Sequence, residues 1–225
     1  MGIVFIELVY PYVSGLFEVV ENLIDGAFMI VGGTYSMIFG DNNAKKLIGE
    51  FVGRDITKEW YDSIVEANDW DKATAEELYA IGNLVGSVIG NITFGKLAEK
   101  FGSFTKLLFN ATRAAGQGGE SSFGTGADFD SAYLVALASA IYSATADVVS
   151  EQWKKNLESD GQLKYLLKTG AINASKPAAS ALVQYLLYGS EQVDEYGNLL
   201  YSSYLDYLDK NGIVLDCIVE GVTSS

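Results

Sequence analysis

Glycine recurs at every fourth position within the segment 78–95, at Gly82, Gly86 and Gly90, and this segment carries no charged residue. Residues four apart lie on one face of an α-helix, so the spacing predicts a helix with a groove along one side. The backbone of a second helix can enter such a groove. Faces of small residues commonly pair helices in a bilayer, because burial from water supplies no driving force there. The pattern therefore predicts close helix packing and does not indicate catalysis.

A second uncharged segment, 131–146, carries alanine at the same spacing. The alanines are Ala132, Ala136, Ala140 and Ala144. Between the two segments, a short helix over 105–115 and a flexible loop over the glycine-rich stretch 116–126 are expected. These features predict a helical hairpin over 74–157, in which the alanine face packs against the glycine face. As a helix, 78–95 is about 27 Å long, at the lower limit for crossing a bilayer.

Composition excludes several kinds of site. The 225-residue chain contains no His and one Cys, Cys217, so catalysis based on imidazole and the usual zinc sites are excluded. Adjacent carboxylates such as Asp128 and Asp130 fit helix capping or solvation better than catalysis. We therefore expect a protein that is not an enzyme and that needs no cofactor or metal.

Charge and hydropathy limit the kinds of partner that the protein is expected to bind. The chain has 29 acidic and 15 basic residues, a net charge of −14, and 49% apolar residues. Its mean hydropathy is +0.16. No cluster of Lys and Arg in the sequence is large enough to bind a phosphate backbone, so we expect no nucleic-acid partner. The same balance weighs against adsorption to anionic lipid headgroups.

The N-terminal segment combines an acidic face with an otherwise apolar surface. Its acidic residues are Glu7, Glu18, Glu21 and Asp25. At about 100° per residue they lie within roughly 40° of one direction. Pro11 predicts a break, so a short first element followed by a helix over 13–25 is expected. This helix faces a membrane surface, a partner or the core of the protein. The acidic face is a candidate pH-sensitive element, because protonation lowers the cost of burying it in lipid.

The positions of glycine and the spacing of apolar residues predict further helix boundaries. The uncharged segment 26–40 predicts either one limb of a helical hairpin or a buried helix, with a break at Gly32–Gly33. Apolar residues recur every three or four positions over 44–68, which predicts an amphipathic helix interrupted near Gly53 or Asp55. The polar face of that helix is charged and is expected to lie in solvent.

Capping residues mark the starts of the two uncharged helices. Thr74 followed by Glu77 fits a capping box before the glycine-bearing helix, which extends to Lys100. Asp128 or Asp130 can cap the alanine-bearing helix.

The C-terminal region predicts shorter elements. A helix over 161–168 is expected to end at Thr169–Gly170, and another opens at Lys176–Pro177. The segment 193–201 has turn chemistry at Gly197–Asn198, which predicts a small β-hairpin or a loop before a helix. Overall the chain is expected to be a single all-α domain with three parts: amphipathic helices over 1–70, the hairpin over 74–157, and a helical subregion over 160–225.

The order of these features over 42–150 resembles a known group of proteins. A charged amphipathic segment with Trp60–Tyr61, the glycine face, the run 114–120 and an alanine-rich helix opening at Gly126–Ala127 resemble glycine- and alanine-rich regions of large polymorphic toxins of Gram-positive bacteria, including LXG-type proteins exported by type VII secretion. The motifs are compositional and cover about half of the chain. Neither an LXG export module nor a C-terminal toxin domain is recognisable in the sequence.

This resemblance implies that the glycines and alanines act through packing in a region that contacts or crosses membranes. The N-terminus has no basic region typical of a signal peptide, so residence in the cytoplasm until specialised export, and membrane association afterwards, are expected. The first hypothesis is a toxin-like protein whose small-residue faces associate to insert into or permeabilise a membrane. The alternative is a soluble all-α interaction protein, such as an immunity, adaptor or phage structural component. Lipid and a protein partner, including a second copy, an immunity protein or a chaperone, are the expected partners.

Overall fold

The computed structural model describes residues 2–155 and 161–223, apart from the side chains of 2–8, 163, 219, 222 and 223. Within these ranges the protein is all-α, as the sequence predicts, and no β-strand is formed. Helix α1 spans Gly2–Ala27 and continues through a π-helical turn, Phe28–Gly33, into α2, Thr34–Phe39. Gly40 then ends the rod in a left-handed conformation, with φ of 66°.

Two expected breaks in this N-terminal rod are wrong. Pro11 lies inside α1, and its buried ring packs against the bare face of Gly82, so tertiary contact compensates for the lost backbone hydrogen bond. Gly32–Gly33 does not end the helix either. The backbone widens into the π-helical turn there, and the ring of Tyr133 occupies the space beside Gly33.

The next helices have the boundaries that periodicity predicts. Helix α3 spans Asn42–Val52 and α4 spans Ile56–Ala67, so the interruption near Gly53 and Asp55 is confirmed. Asp41 caps α3, and Asp55 caps α4 by accepting from the backbone N–H of Lys58.

Helix α5 spans Lys72–Lys100, and its cap differs from the predicted one. The capping residue is Asp71, whose carboxylate accepts from both the hydroxyl and the backbone N–H of Thr74. These hydrogen bonds lower the pKa of Asp71 below its usual value. Thr74 is therefore the third residue of the helix and a donor to the cap.

The expected flexible loop over 116–126 is wrong. Helix α6 spans Ser103–Gly124 and includes four of the five glycines of that stretch, because three of them receive side chains or backbone from neighbouring helices. Helix α7 follows at Phe129–Lys155, and the carboxylate of Asp128 accepts from the backbone N–H of Ser131, which confirms Asp128 as its cap.

The C-terminal region contains one long helix where two short ones are expected. Helix α8 spans Gln162–Leu187 without a break at Thr169–Gly170, and Pro177 lies inside it. A 3₁₀ turn, Gly189–Glu191, follows. The expected β-hairpin is reduced to one antiparallel bridge between Val193 and Leu199. Helices α9, Tyr204–Lys210, and α10, Ile213–Thr223, complete the described chain.

The long helices pack in a fixed order. Helix α1 lies along both α5 and α6, α6 lies along α7, α7 along α8, and α8 along α10. The principal neighbour of α5 is thus α1, and α6 separates α5 from α7. The described chain does have a hairpin-like helical arrangement, but the prediction that the glycine and alanine faces meet is wrong. Its physical reason is that the glycines of α6 make that segment a third packed helix instead of a loop.

Candidate functional site

Three of the four glycines in α5, Gly82, Gly86 and Gly90, pack directly against α1. A Cβ built on Gly86 would lie 2.1 Å from the carbonyl oxygen of Tyr12, and one on Gly82 would lie 2.3 Å from Cβ of Pro11. The contact is reciprocal, because a Cβ on Gly15 of α1 would lie 2.1 Å from the carbonyl oxygen of Asn83. Real side chains do not fit at such distances, so the two helices touch through their backbones.

A second backbone contact joins α1 to α6. A Cβ on Gly26 would lie 1.7 Å from the carbonyl oxygen of Thr112, and one on Gly116 would lie 1.9 Å from that of Asn22. Sequence reasoning missed Gly15 and Gly26 as packing positions. The signal was present, because eleven residues are close to three helical turns and place the two glycines on one face of α1.

The alanines of α7 are also packing residues, but their partner is α6. Ala132, Ala136 and Ala140 are buried in a cluster that includes Ala115 of α6 and Met29 of the π-helical turn. Ala144 is half-buried. The small-residue faces thus both bring helices together, each against a helix other than the predicted one.

The acidic residues of α1 point inward. Glu18 accepts a hydrogen bond from the hydroxyl of Ser87 at 2.7 Å, and Glu21 accepts from the backbone N–H of Ile56 at 3.0 Å. Asp25 is 1% exposed, and its Oδ2 atom has no hydrogen-bond partner. The side chain of Glu7 lies outside the described residues. These residues therefore do not form a polar face in solvent.

A polar cavity of about 550 Å³ lies between α1, α5, α6, α8 and α10. Carboxylates from three helices line it, namely Glu18, Glu120 and Asp216, together with the buried ion pair of Arg113 and Glu220, 2.5 Å apart. Carboxylates gathered in a poorly solvated interior repel one another, and protons, cations or water must relieve that repulsion. The described residues contain no group of three or more potential metal ligands close enough to hold an ion.

The outward faces of the same helices are apolar. The exposed large apolar residues include Phe17, Ile24 and Val31 from the N-terminal rod, Ile81, Val85 and Ile89 from α5, Leu134, Ile141 and Val148 from α7, Leu167 and Leu186 from α8, and Val214 and Ile218 from α10. Buried polar residues of these helices include Asn22, Ser139, Ser143, Asn173, Gln184 and Glu220. Over these helices polarity is therefore partly reversed relative to a water-soluble bundle, in which helices bury their apolar stripe, although buried apolar clusters such as the one around Met29 remain.

Among the described helices, two are long and apolar enough to cross a membrane, α5 and α7. Only 22% of the most apolar window of α5 is buried within the protein, and 44% of that of α7. A core helix of a soluble protein passes the same length test but is mostly buried. The low burial of α5 therefore separates it from an ordinary core helix.

Comparison with protein-family models, with curated proteins and with solved structures found no match to this chain. The class of protein is accordingly defined by the fold itself: an all-α bundle with backbone-to-backbone helix contacts, in which several long helices expose apolar side chains. The resemblance to LXG-type toxin regions stays a prediction.

Proposed function

We propose that this protein inserts into a lipid bilayer, with α5 and α7 as the membrane-crossing helices and the outward apolar faces of the bundle in contact with lipid. The reversed polarity is the observation that carries the proposal. In water, exposed apolar surface and buried carboxylates both raise the free energy of the fold. In a bilayer, the apolar faces contact the lipid acyl chains. Polar side chains of membrane-spanning helices usually face the interior of the helix bundle.

The extent of the exposed surface supports this setting. The accessible surface is 12547 Å². A water-soluble monomer of 24.3 kDa exposes about 10,000 Å² by the usual scaling with mass. Contiguous apolar patches larger than a few hundred Å² usually mark a contact with a membrane or with another protein. The surplus therefore fits a protein whose exterior is covered by something other than water.

The backbone contacts of α1 with α5 and α6 fit the same proposal. Helices in lipid associate mainly through van der Waals contact and interhelical hydrogen bonds, which small residues permit. Within this proposal, Gly82, Gly86 and Gly90 hold α1 in place, and the alanine face of α7 holds α6. A toxin-like, membrane-permeabilising role is the form of this function that the sequence resemblance favours.

The alternative is a soluble interaction protein whose apolar exterior is covered by a protein partner. The charged outer faces of α3 and α4 favour contact with water for that part of the chain. They do not account for the uncharged exterior of α5 over 78–95.

Flotation with neutral phosphatidylcholine vesicles, combined with dye release, tests the proposal. The wild-type protein should float with the vesicles. Ile81→Lys with Ile89→Lys on α5 should remain at the bottom of the gradient, because each Lys near the middle of a bilayer costs about 2.5–3.5 kcal/mol.

Leu47→Lys on α3, 67% exposed, is the matched control and should float like the wild type. Circular dichroism in mild detergent establishes that each variant is folded. Wild-type protein that stays monodisperse without detergent and never floats would overturn the proposal and favour the soluble alternative. Flotation without dye release would retain insertion and remove permeabilisation.

A further inference from the structure

Basic residues converge at one end of the bundle. The end of α5 carries Lys96 and Lys100, α6 begins near Lys106, and α7 ends with Lys154 and Lys155. The start of α8 adds Lys164 and Lys168 at the same end. Lys154 contacts Glu99 at 3.5 Å, which places the ends of α7 and α5 side by side. These lysines are spread over more than seventy positions of the sequence, and only the fold brings them together.

A pocket of about 500 Å³ opens among these lysines, a usual size for a ligand site. Lys96, Lys106, Lys154 and Lys155 line it. No carboxylate of the described residues lies within ion-pair distance of Lys96 or Lys106. Deeper in the pocket, Lys176 is paired with Asp147 at 2.9 Å. The acidic residues Glu99, Asp147 and Glu151 also line the pocket, but its lysines outnumber them, so the rim keeps a net positive charge.

Three polar side chains in the wall lack hydrogen-bond partners. They are Ser150 Oγ, Thr169 Oγ1 and Asn173 Oδ1. Thr169 is 4% exposed and Asn173 is 3% exposed, and all three residues line the pocket. A buried polar group without a partner costs about 1–3 kcal/mol, so such groups normally meet a ligand or water. The two hydroxyls beneath the basic rim can donate to the oxygens of a phosphate group, whereas the amide oxygen of Asn173 only accepts and does not contribute to that contact.

Apolar side chains flank the mouth of the pocket. Phe104 lines it, and Phe101, which ends α5, is 73% exposed beside it. Trp153 lies at the same end of α7, with the ammonium group of Lys168 5.5 Å from its ring. Aromatic residues together with lysines at helix ends are typical of the headgroup level of a bilayer. A free phosphate ion would make no use of the aromatic side chains, whereas a phospholipid would.

We propose that this pocket binds the phosphate of an anionic phospholipid headgroup. The inference rests on the proposed insertion and adds the lipid class and the orientation: the basic end faces the leaflet richer in anionic lipid. Lys96 and Lys106 attract the headgroup, the hydroxyls of Ser150 and Thr169 donate to its oxygens, and the acyl chains continue along the apolar exterior.

The experiment compares neutral phosphatidylcholine vesicles with vesicles in which a quarter of the lipid is phosphatidylglycerol. Phosphatidylglycerol should tighten binding of the wild type, and Lys96→Gln with Lys106→Gln should lower that gain on the order of ten- to thirty-fold. Lys46→Gln with Lys72→Gln removes the same charge at other sites, both side chains being more than 70% exposed, and should retain the gain. Binding of each variant to neutral vesicles should be unchanged.

The variant Thr169→Val tests whether the hydroxyl of Thr169 binds the headgroup or is only buried. The variant should lose several-fold of the phosphatidylglycerol gain, while its melting temperature in detergent stays equal or rises. An unchanged gain with a higher melting temperature would overturn the role of this hydroxyl.

Three results would overturn the inference. They are equal loss in the control pair, no gain from phosphatidylglycerol, and displacement by micromolar inorganic phosphate, which assigns the pocket to the free ion. Of these, no gain from phosphatidylglycerol together with full flotation on neutral vesicles leaves the proposed insertion intact. No flotation on either vesicle overturns both.

Discussion

Helices α3 and α4 differ from α5 in what they present to their surroundings. In α3 and α4, Val52 and Tyr61 are fully buried, while Lys46 and Glu50 are exposed. In α5 the buried positions include three glycines, and the exposed positions include Ile81, at 60%. Both regions are amphipathic in the sense that two faces differ. The comparison shows that having a polar and an apolar face does not by itself indicate the surroundings of a helix. What indicates them is which of the two faces is exposed.

The two regions are also held together differently. Tyr61 stacks on Tyr10 and on Tyr79 and donates a hydrogen bond to the carbonyl of Ala75, so α4 is held by buried side chains. Helix α5 is held by backbone contact with α1. Side-chain burial uses the hydrophobic effect, which requires water outside the protein. Backbone contact does not, and it remains effective in lipid.

The largest expected effect comes from a single methyl group in the backbone contact. Gly86→Ala should lower the free energy of unfolding by about 3 kcal/mol or more, because its Cβ would overlap the carbonyl of Tyr12 and the helices must separate. Thermal or denaturant unfolding in mild detergent, followed by circular dichroism, measures this.

Gly95→Ala, in the same helix, is its control. Nothing lies within 4 Å of that Cβ, so the substitution should stabilise the helix by about 0.5–1 kcal/mol. Equal changes in the free energy of unfolding at the two positions would contradict the conclusion that α5 is held by backbone contact with α1.

A smaller effect tests the polar interior. Arg113→Gln should cost about 1–3 kcal/mol, because it leaves the Glu220 carboxylate buried without its cation. The exposed pair of Arg54 and Glu59 on α4 is the comparison, and Arg54→Gln should leave stability unchanged. Unfolding of both variants and of the double variant Arg113→Gln with Glu220→Gln measures the difference. A double variant no more stable than Arg113→Gln alone would contradict an uncompensated charge as the cause.

The smallest effect lies at the junction of the two regions. Asp71→Ala removes the cap of α5 and should lower the melting temperature at pH 7. Because hydrogen bonds from Thr74 lower the pKa of Asp71, its carboxylate form stabilises the fold. This contribution is complete above about pH 4, the ordinary value for Asp, and is lost as the pH falls further.

The melting difference between Asp71→Ala and the wild type should accordingly shrink below about pH 4. Glu77→Ala, which removes the other half of the expected capping box, should melt like the wild type at all pH values. A loss in Glu77→Ala equal to that in Asp71→Ala would restore the capping box as the start of the helix.

Local patterns in the sequence determine much of this fold. Periodicity predicts α3 and α4 and the break between them at Gly53 and Asp55, and spacing identifies Gly82, Gly86 and Gly90 as packing positions. These predictions hold because they depend on residues within a few turns of one another. Composition likewise excludes imidazole chemistry without reference to any structure.

Only the tertiary structure decided which surfaces meet. A glycine such as Gly116 is flexible in isolation, and it becomes part of α6 because the backbone of α1 occupies the space beside it. Pro11 ends a helix by itself and continues one here because Gly82 receives its ring. The acidic residues of α1 point inward, and the lysines at one end of the bundle come from distant parts of the chain. Both arrangements depend on how the helices pack. A sequence records which side chains share a face of one helix, whereas the direction of that face, and what collects around it, depend on packing between helices far apart in the chain.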